Sequence, residues 1–467
     1  MRSEAVRQFD EHVRDVRRDS GDYHSNYTAL PRSSSQPSSR AQRSRGTPAR
    51  RTWPVRSIPW FAILTSALVL IAAAFPVDAI RDAASLVSVA EARLDLSAAY
   101  LSIAPISSVL DTLTLLTVGQ HIAILLWSIG AFGIWRVMRA RRRPARRRTE
   151  VLAAACFLVG IVLTYVVGAL VPRPMAQLTA SDATVIVVDF HSHTMYSHDG
   201  RPGWTDEDVR NWHRAAGYDV AYITDHATFE GAERGIASNP GLAGEGTTIL
   251  QGLEVVYRGE HVNILSAGRR YRGLTTPDLK DMDVQSLQLA GFLRATAPVL
   301  VETVPAHLSQ VPAQTSDAPG VDAIEIVDGS PRGLAQDRRD RQRIVRIADS
   351  LNLALVAGSD NHGWGRTAPG WTLLRVPGWR GMRTDSLSRR VEDVLRGGRR
   401  QAARTVERRV AAATNPVSLV LAAPLVVWRM LTTLSADERV MWLIWVWGLM
   451  LLVRGLRAFR IRPSATT

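Results

Sequence analysis

Cysteine and lysine are almost missing from this chain: Cys156 and Lys280 are the single examples among 467 residues. One thiol cannot close an intrachain disulfide or build a thiolate metal cluster, so neither holds this fold. With lysine nearly absent, the basic residues are almost all arginine along the whole length. A preference that uniform reflects coding bias and points to no particular ligand. An excess of one charge is also lacking where it would matter. Thr184 to Arg400 holds 25 basic and 27 acidic residues, so the net charge of +14 sits in the flanks. That is not a nucleic-acid-binding composition for the central region, and no specific nucleic-acid partner is expected.

What the chain does have is length and long apolar runs. Its 467 residues exceed one compact core, and about three units are expected. Ile58 to Val77 carries no charge and matches the ~20 residues of a spanning helix. Leu113 to Val137 and Val151 to Val171 are further apolar segments, so residues 57–172 form a membrane region with about three transmembrane helices. Near the other end, Met441 to Val453 is apolar but short, and Val417 to Leu434 is interrupted by Arg429. Residues 415–457 are therefore a second membrane region of one or two helices, the stretch 417–434 being assigned to the interface. Residues 458–467 form a tail.

Residues 1–56 are rich in Ser, Arg, Pro and Gly, bury too little to offset ordering entropy, and read as a disordered basic tail against anionic membrane lipids. The first apolar stretch begins too late for a signal peptide. Arginines crowd that tail and the 136–148 loop, and the positive-inside rule places both in the cytoplasm. Three spans from an inside start then leave the polar domain extracytoplasmic in a multi-pass membrane protein. His121 in the second span reads as a partner in a helix–helix hydrogen bond, and Trp442, Trp445 and Trp447 as interfacial anchors.

From residue 184 the pattern changes to alternating strands and helices. Seven segments are strand candidates: TVIVVDF, DVAYIT, TTILQGLEVVY, HVNILSA, PVLVETV, VDAIEIV and LALVAGS. Thr205 is a plausible N-cap for a helix ending near Ala215, and another helix is expected over about Leu334 to Leu351. Repeated strand–helix–strand units argue for an α/β architecture, a parallel barrel over residues 184–405.

Histidine and carboxylate gather at the ends of those strands. Eight of the eleven histidines lie between 191 and 362. DFHSH supplies His191 and His193, SHDG Asp199, ITDH Asp225 and His226, and GLE Glu254. EHVNIL adds His261, VPAH adds His307, and GSDNH adds Asp360 and His362. Positions i and i+2 of an extended segment face the same side, so His191 with His193, and Asp360 with His362, can reach one ion. Imidazole with carboxylate and no thiolate suits Zn²⁺, Mn²⁺ or Fe²⁺, and more ligands than one ion can hold imply two or three divalent cations. His213, on the polar helix, reads as a residue without a special role, and Asp225 as a cap.

HSHTMYSHDG, YITDHATFEG, GLEVV, VPAH and GSDNH, in that order, resemble the polymerase and histidinol phosphatase (PHP) superfamily of metal-dependent phosphoesterases over about half of the chain. The resemblance implies a distorted (β/α)7 barrel with a trinuclear site. His191, His193, Glu254 and Asp360 would hold one ion; Glu254, His261 and His307 a second; Asp199, His226 and His362 a third. Asp199, His226 and Glu254 would also be catalytic. His198, inserted before Asp199, is an alternative ligand, and Leu308 replaces the proline frequent after the VPAH histidine. A water bridging two cations would be acidified and attack phosphorus in line. Arg201 and Arg366 are candidate donors to phosphate oxygens. The expected substrate is a phosphorylated small molecule or nucleotide, hydrolysed as a phosphomonoester or phosphodiester. Two rivals remain at this stage: a metal-dependent hydrolase of a non-phosphate ester or amide, and a non-catalytic membrane sensor or scaffold that keeps the barrel.

Overall fold

The computed structural model describes residues 59–142, 146–265, 293–408 and 416–460. The expected N-terminal tail, and residues 461–467 of the expected C-terminal tail, lie outside them.

Helices of two kinds precede the polar domain. Helix α1 (Trp60–Ala73) is apolar but only 14 residues long. At 1.5 Å per residue that is about 21 Å, short of a ~30 Å hydrocarbon core, so the expected first span is not of spanning length. The chain leaves the helix at Ala74, just before Pro76. Two short helices, α2 (Ala98–Ser102) and α3 (Ala104–Thr114), follow. Helices α4 (Val118–Arg142) and α5 (Arg147–Leu170) are each long and apolar enough to cross a membrane. They pack as a hairpin: Phe132 stacks on Phe157 at 4.2 Å, and His121 Nδ1 meets Tyr165 Oη at 3.0 Å.

The polar domain is a curled α/β sheet of ten strands, not seven. The seven strand candidates of the sequence are β4 (Val185–Asp189), β5 (Val220–Ile223), β6 (Thr248–Tyr257), β7 (Glu260–Leu265), β8 (Val299–Glu302), β9 (Ala323–Val327) and β10 (Ala354–Ala357), neighbours in chain order. Three more, β1 (Arg81–Asp82), β11 (Gly370–Arg375) and β12 (Ala403–Glu407), extend the sheet beyond β4. Strand β1 has two residues, and β1 and β12 carry charges among few apolar residues, which hides those two from a hydrophobicity pattern; β11 is apolar and was missed without such a reason. Nor is the sheet all parallel: β6, β7 and β8 run antiparallel to one another, as do β4, β11, β12 and β1. A separate two-stranded ribbon pairs β2 (Ala92–Asp95) with β3 (Gln177–Ala180).

Strands β4, β5, β8, β9 and β10 are buried at every residue, the pattern of a sheet covered on both faces. On β4, Ile186 and Val188 turn toward one core with Tyr222, Leu250, Val301 and Val356, while Val185 and Val187 turn toward another. Helix α10 (Thr384–Gly398) joins the first core through Leu387, Val391 and Leu395, spaced at i, i+4 and i+8. The second core lies under α6 (Asp206–Ala216) and α7 (Glu230–Ala237). Helix α6 starts at the expected Thr205, whose capping box with Asp208 satisfies its first amides. The helix expected from Leu334 is divided into α8 (Pro331–Ala335) and α9 (Arg338–Leu351), because Asp337 caps a new start at Arg339 and Asp340.

After the sheet come α11 (Pro416–Val420), α12 (Ala422–Thr433) and α13 (Ala436–Arg460). The first two divide the 417–434 segment into pieces too short to span. Helix α13 outlasts its 13-residue apolar run and is the third helix of spanning length among the described residues.

Buried charge ties these helices to the sheet. Asp111 of α3, 1% exposed, pairs with Arg173 after α5 and with Arg408 after β12 (2.8 Å), and accepts from Tyr100 (2.9 Å) and Thr367 (3.0 Å). Removing one partner from such a network leaves uncompensated charge in a low dielectric. Asp111→Ala is therefore expected to destabilise the protein by about 3–5 kcal/mol, read as a lowered Tm of the full chain in detergent. A Tm within a degree or two of the parent would refute this anchoring role.

Candidate metal centre

Backbone hydrogen bonds at the mouth of the sheet set the site. After β4 the chain turns at Phe190, and the His191 carbonyl accepts the Asp360 amide at 2.9 Å, joining the ends of β4 and β10. Ser192 bridges Asn361, and its carbonyl accepts the Thr224 amide at 2.8 Å, bringing in β5. Asp360 holds a left-handed backbone, φ 45°, which costs a non-glycine residue on the order of 1–3 kcal/mol and is retained where surroundings over-determine it.

Four ligand atoms converge in this frame. His191 Nε2 lies 3.0 Å from His193 Nε2, 2.9 Å from Glu254 Oε2 and 3.3 Å from Asp360 Oδ1. His193 Nε2 lies 3.2 Å from Glu254 Oε2 and 3.3 Å from Asp360 Oδ1. Ligands bound at ~2.0 Å in a tetrahedron are about 3.3 Å apart, so the histidine pair with either carboxylate has the spacing of a cation site. Histidine and carboxylate without thiolate also suit a hard or borderline divalent ion.

Glu254 extends the site. Its Oε2 is 3.4 Å from His226 Nε2, while its Oε1 meets His261 Nδ1 at 2.7 Å. Asp199 Oδ2 then approaches His362 Nε2 at 3.1 Å and His226 Nε2 at 3.6 Å, and the His193 and His362 rings stack at 4.2 Å. Exposed His198 falls within ligand distance of Asp199 and His226. Of the nine expected metal residues, the structure gathers eight. Seven of them fall in ligand-spaced groups among the described residues and His261 joins through Glu254, whereas His307 is exposed and in none of these groups, its amide donating to Glu260 at 3.3 Å.

Electrostatics follow from burial and proximity. Burial alone would depress His193, but Asp360 and Glu254 on its Nε2 raise it to about 10. Burial disfavours a charged Glu254, yet His191, His193 and His261 hold its carboxyl well below the usual range. Asp199 is likewise held far below it, against burial, by His226, His362 and the Ser197 hydroxyl.

Several supporting residues went unnoticed in the sequence. Glu325 shares the inward side of β9 with Ala323 and reaches His191 Nδ1 at 3.2 Å, with Asp328 at 3.9 Å. A carboxylate there orients the imidazole and makes Nε2 the free ligand atom. The signal was present: an acid inside AIEIV contradicts a strand buried on both faces. His213 has a role after all, its Nε2–H donating at 2.6 Å to buried Asp189, which also receives the amides of His191 and Ser359. Asp225 receives both the amide and the hydroxyl of Thr194 at 2.6 Å, pinning the loop after His193.

Of the candidate phosphate donors, Arg201 has its guanidinium over Trp204 (4.8 Å) and Trp364 (5.7 Å). Arg366 is half-buried, and burial together with nearby Arg173 and Arg201 lowers its pKa. Neither arginine lines the cavity of about 340 Å³ that Asp199, Asp360, His362, Trp364 and Ser330 border; Arg201 reaches its edge through the Trp364 ring.

No family model matches the chain, and no curated protein matches it in sequence. Solved structures with related folds include PsfC from Pseudomonas syringae, 19% identical over 57% of this chain and 99% of that one, TM-score 0.34. A lesion-specific endonuclease from Pyrococcus furiosus is 12% identical over 46% of this chain and 56% of that one, TM-score 0.31. A two-domain protein from Bacteroides vulgatus, described as containing a predicted PHP-like metal-dependent phosphoesterase, is 16% identical over 44% of this chain and 63% of that one, TM-score 0.26. Each is a distant likeness, and its activity is its own.

At the edge of the site, Glu302 is buried, and neither of its carboxylate oxygens has a hydrogen-bond partner among the described residues. Burial, with Glu260 nearby, pushes it up to about 9. A folded pKa above the unfolded one means that stability is undiminished below about pH 4.5 and falls as pH rises toward 9, since only the unfolded chain ionises there. Glu302→Gln should match the parent near pH 4.5 and exceed it by on the order of 2–4 kcal/mol near pH 9. Parallel Tm curves across that range would contradict it.

Proposed function

We propose that this chain is a membrane-anchored, metal-dependent phosphoesterase. The observation that carries the reading is the set of His191, His193, Glu254 and Asp360, in which the two histidine Nε2 atoms lie 3.0 Å apart and each lies 2.9–3.3 Å from both carboxylates at the mouth of the sheet. In this reading those four hold one divalent cation. Asp199, His226 and His362 hold another, and Glu254 and His261, with His307 assigned only by resemblance, hold a third. Such cations supply Lewis acidity and water activation when bound. The chain's own part is to hold the imidazoles in the right tautomer through Glu325, to keep Glu254 and Asp199 ionised as ligands, and to offer Arg201 and Arg366 to phosphate oxygens. The proximity of Arg366 to Arg201 and Arg173 supports phosphate over an uncharged ester or amide, because a dianion gains most from paired guanidinium groups.

The same reading puts the sheet domain outside the cytoplasm on the arginines of α4, α5 and α13 alone, because α1 is too short to supply the first of the three spans counted in the sequence. Arg139, Arg141 and Arg142 end α4, and Arg147 and Arg148 begin α5, at the hairpin end away from the sheet. Helix α13 starts beside α3, where Ser108 donates to Glu438 at 3.2 Å, and carries Arg454 and Arg457 toward its other end. All these arginines lie on one side, which the positive-inside rule assigns to the cytoplasm.

Purified full-length protein in detergent should contain transition metal and release phosphate from an aryl phosphate faster than it cleaves an aryl acetate; a short oligonucleotide belongs in the same panel. Asp360→Ala should lose metal and lower kcat/KM by about 100-fold or more. Undiminished hydrolysis in that variant removes the assignment. For sidedness, protease added to intact cells should cleave the domain, and full protection there would reverse the topology.

A further inference from the structure

The mouth of the metal centre and the ends of the membrane helices are one piece of structure. Gly365, three residues beyond His362, donates its amide to the carbonyl of Ala169 in the last turn of α5 at 2.9 Å. Thr114 and Leu115, which lead into α4, line the same cavity as Asp199, Asp360 and His362. Leu110 packs 3.3 Å from where a Cβ on Gly168 would stand, and Thr367 binds the Asp111 hub at 3.0 Å. With these links the cavity is held against the spanning hairpin instead of being carried on a linker.

The rim has the character of a lipid-facing edge. Trp364 is 54% exposed beside Gly365, Met195 is 41% exposed, and Leu170 and Val171 at the end of α5 are 46% and 45% exposed. Tryptophan favours the headgroup level of a bilayer, and here Trp364 also stacks on Arg201 at 5.7 Å, setting an apolar ring against a phosphate donor. From Gly119, shortly after Leu115, an apolar groove of about 720 Å³ follows α4 past Ile122, Leu126, Gly130 and Ile134, with Leu419 and Val420 of α11 along one side. A groove on a helix of spanning length lies where acyl chains are the solvent.

We propose that the substrate phosphoester is carried by a membrane lipid, its headgroup entering at Trp364 and Arg201 while an acyl chain lies in the α4 groove. This rests on the phosphoesterase reading above. The test uses full-length, metal-loaded protein in phosphatidylcholine nanodiscs with two matched pairs: dioleoyl phosphatidic acid against glycerol 3-phosphate, and dioleoyl phosphatidylglycerol against glycerophosphoglycerol. The lipid member of one pair should show a kcat/KM at least about tenfold above its soluble twin, as confinement to the surface raises its effective concentration, and Trp364→Ala should reduce that ratio several-fold. Equal or higher rates on the soluble twins overturn the proposal. A second arm needs no turnover: chelator-stripped protein is photo-crosslinked with a diazirine phosphatidic acid, and labels are expected at Trp364 and Leu115. Labels confined to helix faces remote from the cavity, while the aryl phosphate is still cleaved, sink the lipid substrate alone. Labels at the mouth without hydrolysis of any phosphoester sink the phosphoesterase reading and leave the lipid-binding site standing.

Discussion

The sheet curls so that the amide of Asp360, after β10, meets the carbonyl of His191, after β4, and the centre depends on this contact. Strands six places apart in the sheet are joined there, which sets the separations among His191, His193, Glu254 and Asp360. Without that closure four ionisable groups in a buried mouth would have no common geometry, and their desolvation would have no compensation. The left-handed backbone at Asp360 is the local strain that accompanies the closure.

A second set of contacts fixes the mouth relative to the helices. Asp111 gathers Arg173, Arg408, Tyr100 and Thr367, segments from before, after and within the sheet. Since Thr367 follows the Asp360 to Arg366 loop closely, the ion network and the candidate centre share a support. Buried pairs of this kind contribute geometric definition more dependably than net stability.

Much of the site was legible because metal ligands are costly residues to place at strand ends without a reason. His191 and His193 on an i, i+2 spacing, and acids next to Val and Ile runs, stand out in one dimension. The seven strands β4 to β10 were legible for the same cause: buried strands read as β-branched runs. Strand β1, two residues long, and β12, with charges at Arg404 and Glu407, were not, and β11 went unassigned although its GWTLLR is apolar and as long as the strands that were found. Glu325 was seen only as part of a strand, because its value lies in facing His191 across 134 positions of chain. His213 looked like a polar helix residue, but α6 turns it onto Asp189, where both are fully buried.

The spans show the same division. Apolar length and composition identified the segments of α4, α5 and α13, but α1 stops after 14 residues and 417–434 breaks in two, which only the folded chain shows. By itself the sequence determined the chemistry available: imidazole and carboxylate without thiolate, apolar segments beside arginine clusters, and a nearly neutral centre. Tertiary structure decided which of those groups meet, leaving His307 outside and recruiting Glu325 and Asp328, and set the mouth at the helix ends. The physical reason is that residue type and local periodicity are properties of neighbours in the chain, whereas the convergence of side chains at one mouth and its contact with helix ends are distances between segments far apart in it.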